Sequence, residues 1–113
     1  MTNADILTLP AGPELDTLVA EKVLGWRDCN PLGCGYRPDG SYGSRPWFSM
    51  NVDAACEVME RFERGMISKA MMGCWAQVEH NCQWYEATAP SAALAICRAA
   101  LAAVHSEVTN VRQ

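Results

Sequence analysis

The densest chemical signal in the sequence is a segment in which arginines are interleaved with aromatic residues. Residues 26–48 contain three arginines and five aromatic side chains. Guanidinium groups pair with phosphates and carboxylates, while aromatic rings stack on bases or anchor protein interfaces. We therefore predict a binding site in this segment, formed by Arg27, Tyr36, Arg37, Tyr42, Arg45 and Trp47.

Three interpretations of this segment stay open on the sequence alone. The first is a surface that binds a protein partner through its arginines and aromatic rings. The second is a site for a nucleotide-derived small molecule, although the chain has no glycine-rich phosphate loop and no dinucleotide fingerprint. In the third, Trp26, Trp47 and Phe48 fill the core and the arginines are only solvated.

Four potential zinc ligands occur as two pairs, Cys29 with Cys34 and His80 with Cys82. Tetrahedral zinc accepts two such pairs from separate loops. These two pairs are weak evidence for a zinc site, because cysteines in loops are also commonly unpaired thiols. We therefore predict no bound metal and no other cofactor, and keep these four residues as weak metal candidates.

No set of residues in the sequence forms a catalytic group. A nucleophilic cysteine requires a neighbouring histidine and an orienting carboxylate. Cys82 lies two positions from His80, so on a strand or turn the two side chains need not touch, and Cys29 has no histidine near it in sequence. The sequence therefore predicts a protein that is not an enzyme.

Length and composition narrow the class of protein. The 113 residues suffice for one domain, with flexible ends expected at residues 1–11 and 106–113. A net charge of -4 argues against a general nucleic-acid-binding protein. The longest apolar run, residues 92–104, is too short to span a membrane and contains Arg98.

Six cysteines in a short chain are typical of secreted disulfide scaffolds. The first ten residues, however, lack the basic and long apolar regions of a signal peptide. Cys56, Cys74 and Cys97 fall on predicted apolar faces, where a free cysteine behaves as a small hydrophobic residue. We therefore predict a reducing cytoplasm, free thiols, and burial of these three side chains.

Capping residues and turn residues predict the elements of the first half of the chain. A first helix begins after Gly12, and a hairpin turns at residues 37–41. A second helix is capped by Ser49 or Asn51 and ends at Gly65.

Alternating hydrophobicity predicts strands in the second half. One continuous strand covers residues 69–79 and turns at residues 80–81 into a second strand, which sets Tyr85 opposite Ala76. Thr88 then caps a third helix rich in alanine.

The order helix, hairpin loop, helix, strand, strand, helix predicts an α+β fold with a small antiparallel sheet covered by helices. Trp75 lies on the second face of the sheet, so helices are expected on both faces, as in a three-layer α-β-α sandwich. The third helix is apolar almost all round. We therefore predict a homodimer, formed through a spare face of this helix near Ala99 or through the free sheet edge.

Three blocks of the sequence resemble the phage ABA sandwich domain family, whose members are small proteins encoded by bacteriophages and prophages. The blocks are residues 18–26, 48–60 and 95–101, in the family's order. The resemblance implies a fold of helix, sheet and helix in three layers. It implies no activity, so no catalytic or binding residue is carried over. The loop of residues 29–34 has no counterpart in the family, and Cys56 stands where the family usually has Trp.

Together these observations predict a single domain of this family over residues 1–113. We expect a phage accessory protein that binds a host component in the bacterial cytoplasm, with antiviral defence as the favoured target. The alternatives are sequestration of a nucleotide-derived signalling molecule, and a zinc-binding or structural phage protein. No membrane and no general nucleic-acid partner is expected.

Overall fold

A computed structural model describes residues 3–30, 32–71 and 73–111. Within these ranges the elements are, in chain order, α1 Asn3–Thr8, α2 Pro13–Lys22, β1 Cys34–Tyr36, β2 Tyr42–Ser44, α3 Val52–Met59, β3 Arg64–Ala70, β4 Gly73–His80, β5 Gln83–Ala89 and α4 Ala92–Val111. The strands form two antiparallel sheets, one of β1 and β2 and one in the order β3-β4-β5. The predicted α+β class, with helices packed on a small antiparallel sheet, is confirmed.

Helix α4 is the centre of the core, since it contacts all three strands of the larger sheet and also α1, α2 and α3. Its alanines favour the helix and let neighbouring backbones approach closely. The helix is capped by Ser91 rather than by Thr88, because the Ser91 hydroxyl accepts a hydrogen bond from the Leu94 N–H at 3.3 Å. Thr88 belongs instead to β5.

The face of α4 that the sequence assigns to a second subunit is covered within the chain. Ala99 is 0% exposed. The buried residues surround the helix and are Ala93, Leu94, Ala95, Ile96, Cys97, Ala99, Ala100, Leu101, Ala102 and Ala103. Because α1, α2 and α3 supply the covering surface, the prediction of a spare helix face is wrong.

The larger sheet has one strand more than the sequence predicts. In place of a continuous strand over residues 69–79, β3 ends at Ala70 and β4 returns antiparallel from Gly73. The predicted end of the second helix at Gly65 is also wrong, because α3 ends at Met59 and Gly65 belongs to β3. Met72, which the sequence places in the strand, lies outside the described residues.

Gly73 is the residue that this chain reversal requires. Its φ is 144°, and a Cβ atom there would lie 2.5 Å from the Ala89 carbonyl oxygen on β5. Only glycine accommodates both the backbone conformation and the close approach of the neighbouring strand. The signal was present in the sequence, but a lone glycine within an apolar run does not distinguish a turn from a bulge.

The hairpin between β4 and β5 turns one residue later than the sequence predicts. Asn81 and Cys82 occupy the turn with φ values of 54° and 66°, so Tyr85 pairs with Val78 rather than with Ala76. A two-residue hairpin turn favours positive φ, which Asn tolerates well. The pairing moves by two residues, so every side chain keeps its predicted face.

Helices cover one face of the larger sheet. On that face Ala76, Val78 and Ala87 are buried beneath α4. The opposite face carries Trp75, whose indole N–H donates to the Glu86 carboxylate at 2.8 Å. On this face Trp84, Glu86 and Thr88 of β5 are exposed, so the cover that Trp75 suggests does not extend over β5.

Helix is present at both ends, where the sequence predicts flexible segments. Helix α1 inserts Ile6 into the core, and α4 continues to Val111. Arg98 of α4 joins the N-terminal segment to the core, since its Nη2 and Nε donate to the Leu9 carbonyl oxygen at 2.8 and 3.0 Å. Burial lowers the pKa of Arg98. No helix in the described ranges has the length and apolar character of a membrane span.

The six cysteines are free thiols, as predicted. Cys97 is buried in α4, and burial, with a smaller contribution from the Asp16 carboxylate, raises its pKa to about 12. Cys74 is half-buried. The predicted burial of Cys56 is wrong, because the buried side chains of α3 are Ala55 and Val58 and Cys56 lies on the exposed face.

Candidate functional site

The candidate segment, residues 26–50, is built around the hairpin of β1 and β2. Its turn is the one that the sequence predicts at residues 37–41. The Arg37 N–H donates to the Ser41 carbonyl oxygen at 2.8 Å, and the Asp39 carboxylate accepts from the Ser41 N–H and hydroxyl at 2.8 and 2.7 Å. The Ser41 hydrogen bonds lower the pKa of Asp39, so the turn is stabilised by an ionised carboxylate.

Arg37 is held against the protein rather than extended into solvent. Its guanidinium carbon lies 5.2 Å from the centre of the Trp26 ring, a cation–π distance. Gly43 on the facing strand makes room for it, since a Cβ atom there would lie 2.6 Å from Nη1. Trp26 is buried, as the third interpretation predicts, but Arg37 packs on it and is not merely solvated.

Two tyrosines form an exposed pair on the hairpin. Tyr36 and Tyr42 are directly opposed, with ring centres 5.0 Å apart at an interplanar angle of 63°. The Asn30 side-chain amide donates to the Tyr42 hydroxyl at 3.0 Å. Backbone hydrogen bonds of 2.8 and 2.9 Å join Arg27 to Tyr36. Three of the six candidate residues, Arg27, Tyr36 and Tyr42, are therefore paired side by side along the backbone and are exposed.

Arg45 anchors the segment to helix α2. Its Nη1 lies 3.3 Å from the Asp16 carboxylate, and both side chains are 3% exposed. The other Asp16 oxygen accepts the Ser49 N–H at 2.7 Å, while the Ser49 hydroxyl accepts the Gly12 N–H at 3.0 Å. Arg45 is therefore neither solvated nor free to extend toward a ligand, and its role depends on Asp16, a residue that the sequence alone does not single out.

A cleft of about 260 Å³ lies above this ion pair. Its lining residues are Pro13, Asp16, Leu32, Gly33, Arg45, Trp47 and Met50. A backbone turn brings two of them together, because the Met50 N–H donates to the Trp47 carbonyl oxygen at 3.1 Å. The cleft therefore has apolar walls over a charged but internally paired floor.

The walls of this cleft are unusually exposed for large apolar side chains. Leu32 is 90% exposed, Trp47 64% and Met50 60%. Trp47 is a candidate predicted from the sequence, whereas Leu32 and Met50 were missed. Nothing in their local sequence distinguishes an exposed apolar residue from a buried one.

Arg45, one of the lining residues, contains a buried polar atom that lacks a hydrogen-bond partner among the described residues. Nη1 of Arg45 is hydrogen-bonded to the Pro46 carbonyl oxygen at 3.3 Å in addition to its ion pair. Nε of Arg45 is buried and has no hydrogen-bond partner among the residues that the structure describes. Buried N–H groups without a partner are rare in folded proteins and call for an explanation.

The four metal candidates are not brought together. His80 packs edge-on against Phe62, with ring centres 5.5 Å apart, and Cys82 lies in the adjoining turn. Cys29 lies against Gly35 in the candidate segment, and burial is the largest cause that raises its pKa. Over residues 3–30, 32–71 and 73–111 no three His, Cys, Asp or Glu side chains are placed to hold a metal ion.

Comparisons with known proteins agree with this architecture. The family model described as the phage ABA sandwich domain matches residues 17–101. The chain is also similar to a phage protein from Bacillus cereus ATCC 14579, known from a 2.0 Å crystal structure, with a TM-score of 0.68 and 22% sequence identity over 80% of this chain and 88% of that one. At this identity the similarity establishes the fold alone. The search of curated proteins found no match.

Proposed function

The chain belongs to the phage ABA sandwich domain family, and from this premise we propose that it is a non-enzymatic phage accessory protein that binds a protein of the bacterial host. The observation that carries the proposal is the exposure of Leu32, Trp47 and Met50 around one cleft. Large apolar side chains grouped on a surface are characteristic of interaction sites. Trp residues are also the most frequent energetic anchors of protein interfaces.

The tyrosine pair extends the apolar and aromatic surface of the same segment. Tyr36 is 40% exposed and Tyr42 55%. Tyrosine supplies a large contact area with few rotatable bonds, which lowers the entropy cost of binding. Both features lie on loops and a short hairpin attached to a helical core, the usual location of binding residues on a rigid scaffold.

The electrostatics favour a protein over a nucleotide-derived ligand. A phosphate site requires converging cationic groups with free N–H donors. Arg37 is stacked on Trp26 and donates to Ser41 at 3.3 Å, while Arg45 is neutralised by Asp16. Sequestration of a nucleotide-derived molecule therefore has weaker support than protein binding.

The place of action and the target follow from the phage origin of the family. A phage protein that binds a host component meets it in the host cytoplasm, where free thiols are stable. We favour a component of antiviral defence as the target, because a small protein without catalytic activity can disable host defence by binding alone.

The proposal is tested by site-specific crosslinking in host cells. A photoreactive amino acid replaces Trp47, Tyr42 or, as the control, the exposed Thr88 on the sheet. We expect a discrete adduct with a host protein from position 47 or 42 and none from position 88. No adduct from either segment position, or the same adducts from position 88, would contradict the proposal.

A parallel thermal-shift experiment separates the nucleotide alternative. Ligands that bind only the folded state raise its melting temperature according to their concentration and affinity. Linear and cyclic nucleotides at millimolar concentration are expected to leave the melting temperature unchanged. A saturable increase with any of them would replace protein binding by nucleotide sequestration.

A further inference from the structure

We propose that β3 pairs antiparallel with β3 of a second copy of the chain, in a register that sets Met66 opposite its own copy and Glu63 opposite Lys69. This inference goes beyond host binding and does not depend on it. It follows from the exposure of the strand, from the order of its charges and from the position of Met59 beside it.

Strand β3 is an edge of the larger sheet and is exposed on both faces. Helix α4 packs mainly on β4 and β5, and residues 63–69 are all exposed. Among them are two large apolar side chains, Met66 at 50% and Ile67 at 41% exposure. An edge strand also presents unpaired backbone N–H and C=O groups, which form a template for a further strand. Strand β3 has no proline that would prevent this pairing.

The charges of this segment are complementary to their own copies. Antiparallel pairing about Met66 sets Glu63 opposite Lys69. Because the pairing is symmetrical, this pair of opposite charges forms twice, once at each end of the interface. Arg64 lies opposite Ser68 in the same register, so no like charges face each other. Opposite charges on directly facing strand residues stabilise the pairing, whereas like charges weaken it.

This complementarity has no function within the single chain and is lost in the neighbouring register. Glu63 and Lys69 are six positions apart in an extended segment, which separates them by about 20 Å at ~3.3 Å per residue. Pairing about Ile67 instead would set Lys69 opposite Gly65 and would form neither charge pair. The charges therefore select the register about Met66.

The face of β3 toward α4 also fits this register. Ile67 pairs with the buried Ala76 of β4 and therefore lies on that face. Its position across the interface is opposite Gly65 of the other copy. The space beside Gly65 is occupied by Met59 of α3, which a Cβ atom there would contact, and Met59 packs on the core. Each Ile67 is thus placed to contact the other copy's Met59, which removes apolar surface of both from water.

The opposite face places Met66 at the symmetry axis. Two methionines meet there, and their flexible thioether side chains fill irregular space well. Arg64 lies on the same face but is held toward β4 and β5. Its Nε donates to the Glu79 carboxylate at 3.0 Å, and its guanidinium carbon lies 6.0 Å from the centre of the Trp84 ring. The arginine charge is therefore directed away from the axis.

The other edge strand, β5, does not offer the same pairing. Its central residue is Glu86, so symmetrical pairing would oppose two carboxylates. The Thr88 carbonyl oxygen of β5 also accepts a hydrogen bond from Nη1 of Arg98 at 3.1 Å. Each copy therefore uses one edge, and the pairing closes as a twofold dimer instead of extending into a filament.

Analytical ultracentrifugation tests the association. The chain of 12.4 kDa is expected to sediment at twice this mass at micromolar concentration. Met66→Lys places two ammonium groups at the symmetry axis and is expected to give a folded monomer by circular dichroism. A monomeric wild-type chain across the micromolar range, or a dimeric Met66→Lys variant, would overturn the proposal.

Charge reversal tests the register. Glu63→Lys sets two ammonium groups opposite each other at each end of the interface, and Lys69→Glu sets two carboxylates there. Each variant is expected to raise the dissociation constant of the dimer about tenfold. Glu57→Lys makes the same change of charge on the exposed surface of α3 and is the matched control. Equal losses from Glu57→Lys and Glu63→Lys would contradict the register.

Recombining the two reversed charges provides the sharpest result. In a mixture of Glu63→Lys and Lys69→Glu chains, each ammonium group faces a carboxylate, so a heterodimer with the wild-type affinity is expected. The double variant with both substitutions should likewise regain self-association. A purely structural role of these residues would produce neither recovery. Failure of the mixture and of the double variant to associate more tightly than the single variants would overturn the proposed pairing.

Discussion

The α4 core and the candidate segment of residues 26–50 are stabilised in different ways. The core consists of a helix surrounded by a sheet and three other helices, with small apolar residues in close contact. The segment has little regular structure and is held by a few polar contacts, above all the ion pair of Arg45 with Asp16. The first arrangement spreads its stability over many contacts, and the second concentrates it in a few.

This difference explains why exposed apolar side chains occur in the segment and not around α4. A residue that packs on several neighbours is held in place by its own burial. In the candidate segment the ion pair fixes the backbone, and the other side chains need not be buried to keep it in place. Leu32 and Trp47 can therefore remain exposed. Substitutions in the two regions should therefore have separable effects on folding and on binding.

The largest effect is expected from a charge inside the core. Ala99→Glu places a carboxylate without a partner where no side-chain surface is exposed, and should destabilise the chain by more than about 4 kcal/mol, enough to prevent folding. Circular dichroism and urea unfolding measure this. Ser44→Glu, at an exposed position of the segment, should remain folded. A folded Ala99→Glu monomer would show that α4 has a free face.

The second effect concerns the anchor of the segment. Arg45→Met leaves the buried Asp16 carboxylate without its partner and is expected to cost about 3–5 kcal/mol. The double variant Asp16→Asn with Arg45→Met removes both charges and keeps an oxygen for the Ser49 N–H. Urea unfolding should find the double variant more stable than the single one. Equal stabilities would show that the charge pair is not the anchor.

The third effect is a pH dependence that originates in the core. The folded-state pKa of Cys97 is about 12 against an ordinary value of 9.0, so above pH 9 the unfolded chain releases this proton first. Because the native state then binds more protons, stability should fall between pH 9 and 12, at up to about 1.4 kcal/mol per pH unit. The dependence is measured by urea unfolding across this pH range.

Two variants isolate the contribution of Cys97 to this slope. Cys97→Ala should reduce the slope, whereas replacing the exposed Cys56 by Ala should leave it unchanged. A Cys97→Ala variant with the wild-type slope would assign the pH dependence to other groups.

The smallest effect on stability is expected at the rim of the cleft. Trp47→Ala should change the free energy of unfolding by less than about 0.5 kcal/mol while weakening binding, because the side chain is largely exposed. Trp26→Ala is the contrasting variant and should cost about 3–5 kcal/mol, since Trp26 is buried. Strong destabilisation by Trp47→Ala would mean that the exposed apolar rim is structural.

The elements that were predicted correctly depend on neighbours in the sequence. Helix α2 follows Gly12 and begins with Pro13, and the hairpin turn at residues 37–41 has the proline, aspartate and glycine that such turns use. Asn51 caps α3 by accepting the Ala54 N–H at 3.1 Å. In each case the stabilising contact spans only a few residues.

The candidate site could be predicted only in part for the same reason. Aromatic residues and arginines indicated a segment that lines a cleft, but the sequence around Trp26 and Trp47 does not show that the first is buried and the second exposed. The turn between β3 and β4 was not predicted from the sequence. It depends on the close approach of Gly73 to the backbone of β5, a strand that follows later in the chain. Helical and extended patterns overlap in short apolar runs, so sequence periodicity does not locate such a turn.

By itself the sequence determined the α+β class, the family and the segment in which arginines and aromatic residues are concentrated. Only the tertiary structure decided that Arg45 is an anchor, that Trp47 forms a wall with Leu32 and Met50, and that α4 is covered all round over residues 93–103. The physical reason is the range of the contacts. Periodicity and caps act over one or two turns, whereas the burial of a charge or an aromatic ring is set by residues tens of positions away, as Asp16 is from Arg45.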